Sequence, residues 1–446
     1  GEGLRTADVI YLMLSLIIAG RGVGRRIIKN NKMIKISVPS KLWYENQERE
    51  LLFPDHWQVE NLNPPGFAKP ALPTSSIREK IIHPLAGPSL AELAKNKNQA
   101  IIVFDDMTRP TPVKEIAPHI LEILHESGMK REQIRFLWAL GAHGAQDMIS
   151  ARKKLGAEIV ENYPVYNHDP FQNTVRVGRT PTGVELWFNR ELLSCDLKIG
   201  IGCITPHVHV GFGGGAKIIL PGVAGLETIN QFHNQLYRDP QRTGLGNFEN
   251  NIMRAECDAA GEAVKLNFKV DCLINRRGQI TDIYAGPFRS THQIGAEEAK
   301  KHYGIKNSGG YDLIIANAYG KANEAAIALV LALMLLKPKE GVAVLIVDAP
   351  EGQVPHYVMR AWGNEYGGRH FSPKPKGLRR QILKKLIVLT PFPDRTFLDL
   401  ICHPDDALIV KSWAEALAIL EKDFPEQAKV GVVQDGTMMY LKKGEY

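Results

Sequence analysis

The chain alternates between short, wholly apolar runs and longer segments whose apolar positions recur every three to four residues. Residues 100–104 (AIIVF) and 134–140 (IRFLWAL) read as strands buried on both faces, as does the stretch 195–201. Between them, residues 113–126 carry a helical period closed by Gly128, and 146–155 a second one. Shorter helices are predicted at 76–80 and 89–95, the latter opened by Ser89 with Glu92 three residues on, a capping box. A strand is predicted at 158–161, and residues 33–62 read as short strands punctuated by proline. Glycine and polar residues at 307–310 mark a linker, after which the pattern restarts: strands at 311–317, 342–348, 386–389 and 407–410, helices at 322–336 and 413–422. Buried strands alternating with amphipathic helices indicate parallel sheets. The expected fold is α/β: two α/β domains with largely parallel sheets and an active site in the cleft between them. Their expected bounds are 33–308 and 309–435, with a tail at 436–446 returning to the first domain and an N-terminal extension at 1–32.

A length of 446 residues agrees with two domains. Hydrophobic content of 44% with 23% charged residues is that of a soluble globular protein. The net charge of +7 is spread in short runs that do not interleave with aromatics, so nucleic-acid binding is not indicated. Five scattered cysteines without a CxxC pair support neither a disulfide framework nor a zinc ribbon, and favour a reducing cytoplasm. The apolar run at 11–20 falls short of the ~20 residues that span a bilayer, and its acidic-before, basic-after flanks are the wrong polarity for a signal peptide. No membrane association is expected.

Chemistry-bearing residues cluster just past the carboxyl ends of the predicted strands, where open α/β sheets bind ligands: Asp105, Asp106, Arg109, His143 and His207. Arg109, in DDMTRP, has the fork to clamp a carboxylate or phosphate, with Asp105 or Asp106 orienting it. His143, in LGAHG, is placed for acid/base work. The most concentrated stretch is 205–233, TPHVHVGFGGGAKIILPGVAGLETINQFH. Its glycines let backbone approach a ligand closely, and Lys217, followed by an apolar run, would be desolvated and suited to covalent attachment. The run is no phosphate loop, because Ala216 precedes the lysine and Ile218 stands where a serine or threonine would hold magnesium. His168-Asp169 reads as a turn feature. His207, His209 and His233 leave a three-histidine zinc site for hydrolysis open, since imidazole alone does not select the metal.

DDMTRP, LGAHG, PHVHVGFGGGAK and the later His233 resemble the LarA-type lactate racemases, which use a nickel-pincer nucleotide. The likeness runs over most of the chain from Met33, with ten residues from His207 to Lys217 and sixteen from Lys217 to His233. The resemblance implies a racemase or epimerase of a 2-hydroxy acid. Lys217 would carry the tethered pyridinium nucleotide, with Asp106, Thr108, Gly214 and Gly215 beside the cofactor. His233 would ligate Ni(II). His143 and His207 would be the two acid/base groups, and Arg109 would hold the substrate carboxylate; Lys321 is a further candidate substrate contact, to which the resemblance assigns no role. Cofactor-biosynthesis enzymes would be partners in maturation. The chain departs from the family pattern at Gly213 and Ala216. It departs again in NAYGKANEAAIALVLA, where Ile327 and Val330 stand in place of a glutamine and a substrate-contacting lysine. Lactate is thereby disfavoured and a larger or less polar 2-hydroxy acid favoured. A relative that binds cofactor without turnover is the remaining reading.

Overall fold

The computed structural model describes residues 33–236, 241–307, 309–358, 382–393 and 406–442; the extension expected over 1–32 lies outside them. Each of the two six-stranded sheets is organised around a strand with every residue buried.

In the first sheet that strand is Ala100–Asp105, flanked in parallel by Ile134–Ala139 and Leu197–Cys203. Outward from these run Val165–Asn167 on one side and Phe268–Ile274 on the other, the latter folding back antiparallel into Ile280–Gly286. In the central strand the one polar residue, Asp105, stands at the carboxyl end, because both faces of the sheet are covered there. The helix Val113–Glu126 supplies part of that cover through Ile116, Ile120 and Leu124, a stripe at helical spacing, and Gly128 follows its end with φ +89°. At the next short helix, Ser89 accepts from the Glu92 amide while Glu92 accepts from the Ser89 amide, the capping box that the spacing predicts.

The second sheet centres on Val342–Val347 and Leu313–Ala318, and each of its strand pairs is parallel. Its edge strand, Gln58–Leu62, comes from the N-terminal segment and pairs with Lys429–Val433. The hairpin of Met33–Ser40 with Gln47–Pro54 lays Val38, Leu51 and Phe53 into one core with Leu313, Ile315 and Val344. Residues 33–62 therefore pack with the second sheet, although the sequence boundary at 309 assigns them to the first: a period-two pattern shows that a strand has one apolar face, not which sheet receives it. The chain ends by crossing back, Tyr440–Leu441 pairing with Gly304–Ile305 and the Tyr440 ring lying 5.5 Å from Phe212.

Two elements differ from expectation. Residues 158–161 lie in the helix Ala157–Asn162, which Gly156 separates from the preceding helix at φ +90°; the sheet edge there is filled by Val165–Asn167 instead. The helix expected over 322–336 begins as a separate turn, Ala322–Glu324, before Ile327–Leu335. Gln353 causes the break, its side chain accepting from the Ala325 amide (2.9 Å) and donating to the Ala322 carbonyl (2.7 Å). That turn faces the carboxyl ends of the first sheet.

Candidate active site

A cavity of about 200 Å³ lies over those carboxyl ends, walled by Asp106, Arg109, His143, His207, Lys217 and His233 on one side and by Glu324, Ile327 and His356 on the other. Past the buried strand 100–105 the chain turns sharply, and Asp106 holds the turn. One of its oxygens accepts from the Thr108 amide (3.0 Å) and hydroxyl (2.5 Å). The other meets His143 Nδ1 at 2.6 Å. Beneath them Lys154, with no exposed surface, donates to the Asp106 (2.9 Å) and Arg109 (2.7 Å) carbonyls and pairs with Asp105 at 2.8 Å. In the sequence Lys154 belongs to the short basic run 152–154. Lys154→Met should destabilise the protein by roughly 3–5 kcal/mol in urea denaturation, because Asp105 is left buried without its cation.

The Asp106 contact fixes His143 with Nε2 toward the cavity, 3.4 Å from Glu324 Oε1. Burial alone would lower the imidazole, but the Asp106 and Glu324 carboxylates override it and push His143 up to about 9. Glu324 in turn donates nothing and accepts from Arg109 Nη1 at 2.5 Å. Burial raises its carboxyl, yet Arg109 and His143 hold it well below the usual carboxylate range. The sign of the linkage follows for His143: its contribution to stability, on the order of 3 kcal/mol, is fully present below the ordinary histidine value and lost as pH climbs through 9. Chemical denaturation between pH 6 and 10 should show that loss, and His143→Gln should remove it.

The glycine-rich segment is held from behind. Asp271, paired at 2.5 Å with the fully buried Lys269, accepts the Gly215 amide at 2.7 Å. Arg254 donates to the Gly214 and Phe212 carbonyls. A Cβ on Gly214 would fall 2.6 Å from Ile204 and one on Gly215 2.9 Å from His292, both at positive φ, so packing within the protein already demands glycine there. Gly214 reaches the cavity wall, while Gly215 stands behind it. The turn Gly215–Ile218 then delivers Lys217 to the cavity. Burial first, and Arg109 second, bring its amine down to about 7. His233, on the helix Leu226–Leu236, places Nδ1 2.9 Å from the Ile229 carbonyl; Nδ1–H is thus the donor and Nε2 keeps its lone pair. Burial lowers His233 to about 3 and sends His207 well below its ordinary value, so both are neutral.

Residues 44–244 match the model of the lactate racemase N-terminal domain. Arg109, His143, His207, Lys217 and His233 all fall within that stretch, in the order and on the wall just described. Over that stretch the chain is similar to the LarA-type lactate racemases. It is 28% identical over 249 residues to the lactate racemase of Lactiplantibacillus plantarum, covering 53% of this chain and 58% of that one. To the lactate racemase of Thermoanaerobacterium thermosaccharolyticum it is 29% identical over 225 residues, covering 50% and 52%. The matched stretch thus spans a little over half the length of each curated relative. The fold extends further. The lactate racemase apoprotein structure from T. thermosaccharolyticum superposes with a TM-score of 0.71 over 92% of this chain and 100% of that one, at 21% identity. A protein of Thermotoga maritima does so with a TM-score of 0.62 over 84% and 100%, at 17% identity.

Ile327, which stands where the resemblance places a glutamine, lines the cavity from the second-sheet side. Lys321 stands behind the wall rather than on it, its amine 3.2 Å from the Pro206 carbonyl beside His207. Two cavity residues escaped the sequence reading. His356 has its ring 5.2 Å from His143 and 6.0 Å from His233, and no motif surrounds it. Glu324 was hidden in a segment read for its missing glutamine and lysine. The zinc alternative loses its geometric support: His207 Nδ1 faces the His209 amide at 3.2 Å, and among the described residues no three histidine, cysteine or acidic side chains are grouped to hold a metal ion. No helix among the described residues is long and apolar enough to cross a membrane.

Proposed function

We propose that this protein is a racemase or epimerase of a 2-hydroxy acid other than lactate, dependent on a nickel-pincer nucleotide tethered to Lys217. The observation that carries the reading is the convergence of Arg109, His143, His207, Lys217 and His233 on one cavity. The residues fit the cofactor. A lysine brought down to about 7 is a competent nucleophile, and His233 presents a neutral Nε2 while Nδ1–H is fixed on a carbonyl, the arrangement of a metal-ligating imidazole. A single protein ligand suffices where the cofactor supplies the others. When bound, the group would accept the substrate α-hydrogen as hydride and return it.

The chain's own residues do the rest. Arg109 binds the substrate carboxylate and sets the α-carbon between two imidazoles. His207, neutral, takes the hydroxyl proton from one enantiomer; His143, protonated, supplies a proton to the oxygen as the other enantiomer forms. One acid and one base held in opposite protonation states by their surroundings is the condition such a reaction needs. Asp106 is the positioning residue that keeps His143 in its acid form. Enzymes of cofactor synthesis would be required as partners, in the cytoplasm.

The test is to produce the protein together with those enzymes, weigh it intact, locate any added mass, and follow a panel of 2-hydroxy acids by chiral chromatography. Added mass on Lys217 with isomerisation of at least one acid is expected. Mass without isomerisation across the panel would point to a cofactor carrier, and no mass at all would overturn the reading.

A further inference from the structure

Glu324 makes two contacts that a 2-hydroxy acid would need. One carboxylate oxygen lies on Arg109 Nη1 at 2.5 Å and the other 3.4 Å from His143 Nε2, the places of the substrate's carboxylate and hydroxyl in the proposed reaction. Its backbone belongs to the turn that Gln353 pins, so the carboxylate is aimed by a fixed element rather than by a loose loop. We infer that Glu324 occupies the substrate-carboxylate subsite in the resting protein and selects 2-hydroxy acids that carry a further hydroxyl or ammonium group to bond it once it is displaced. The inference rests on the proposed racemase reading.

Charge decides the matter. Asp106 and Glu324 balance Arg109 and His143 before any ligand arrives. A bound acid brings one more carboxylate and takes Arg109, and Glu324 is then an ionised group inside a closed cavity without its strongest partner, which is costly. Of the neighbouring amines, Lys269 is committed to Asp271, Lys154 to Asp105 and Lys321 to the Pro206 carbonyl, while Lys217 is brought by burial to about 7 and carries only part of a charge. Lactate offers a methyl group in return. An acid with a second hydroxyl, or an amine, offers a donor that replaces the lost one. Displacement is therefore nearly balanced for a polyhydroxylated acid and uphill for a small one, and Ile327 on the same wall adds no polar contact for lactate.

The cofactor-free full chain allows a direct test by isothermal titration with two probes, lactate and threonate. The native protein should bind threonate at least tenfold more tightly than lactate. Glu324→Gln should bind lactate at least tenfold more tightly than the native protein does and lose most of the preference for threonate; Glu324→Ala should shift in the same direction, with thermal melting confirming that both variants fold. Unchanged or weaker lactate binding in both variants, a threonate preference that survives in them, or binding of neither acid to any of the three proteins would overturn the inference. Failure of the racemase reading would look different: the cofactor-loaded native protein would isomerise no acid while these binding shifts remained.

Discussion

Lys217→Arg is expected to leave the protein folded and to abolish both its added mass and its isomerase activity. The amine must be unprotonated to attack, and burial in the apolar surroundings of Ile218, Ile219 and Leu220 brings it to about 7, where a large share is neutral. Arginine keeps roughly the length but remains protonated at any pH the fold survives. It thus removes the nucleophile and leaves a full charge beside Arg109 and His207. The variant should still melt cooperatively, at a somewhat lower temperature, since the turn Gly215–Ile218 is fixed by the contacts of Asp271 and Arg254 with the backbone there and not by the lysine head group. Intact-mass measurement on protein co-produced with the cofactor-synthesis enzymes should find the bare polypeptide, and chiral analysis no turnover above background. Added mass persisting on the arginine variant would place the tether at another residue.

How much of this was legible in advance follows the range of the interactions concerned. Strands such as Ala100–Asp105 announce themselves because burial on both faces leaves no polar residue inside them, and the helix Val113–Glu126 because its stripe and terminal glycine are local signals. Arg109, His143, His207, Lys217 and His233 were legible for a related reason: each follows a strand or glycine turn that itself has a pattern. Glu324, His356 and Lys154 were not. Nothing local marks them out from their polar neighbours, and each acquires its role from a partner far along the chain: Arg109 at 215 positions for Glu324, Asp106 and Arg109 carbonyls at 48 and 45 for Lys154. The helix break at Ala325 needs Gln353, 28 positions on. Strand assignment failed at residues 158–161 because two apolar residues between glutamates suit either period, and only the filled sheet edge decides.

His143→Gln should lower isomerisation by roughly 10²–10⁴-fold and yet spare half of the chemistry. Glutamine can still bond Asp106 and so preserve the loop, but it cannot carry a proton to or from the substrate oxygen. His207 remains, neutral and on its own side of the α-carbon. The enantiomer that His207 serves should therefore still surrender its hydroxyl proton, giving 2-keto acid in an amount equal to the loaded cofactor, while the opposite enantiomer gives none. His207→Gln should give no keto acid from either enantiomer near neutral pH, and should give it from the opposite enantiomer only as pH rises through 9 and His143 loses its proton. Neither change touches Lys217 or His233, so added mass and bound metal should stay at the native level in both variants. The alkaline limb of the pH profile, expected near 9 from His143 losing its proton, should vanish in the His143 variant alone. A purely structural role for the two histidines predicts something else: both enantiomers weakened together and the alkaline limb unmoved. Keto acid from the same enantiomer in both variants would show that the two imidazoles do not flank the reacting carbon, and the assignment of one acid and one base would have to be given up.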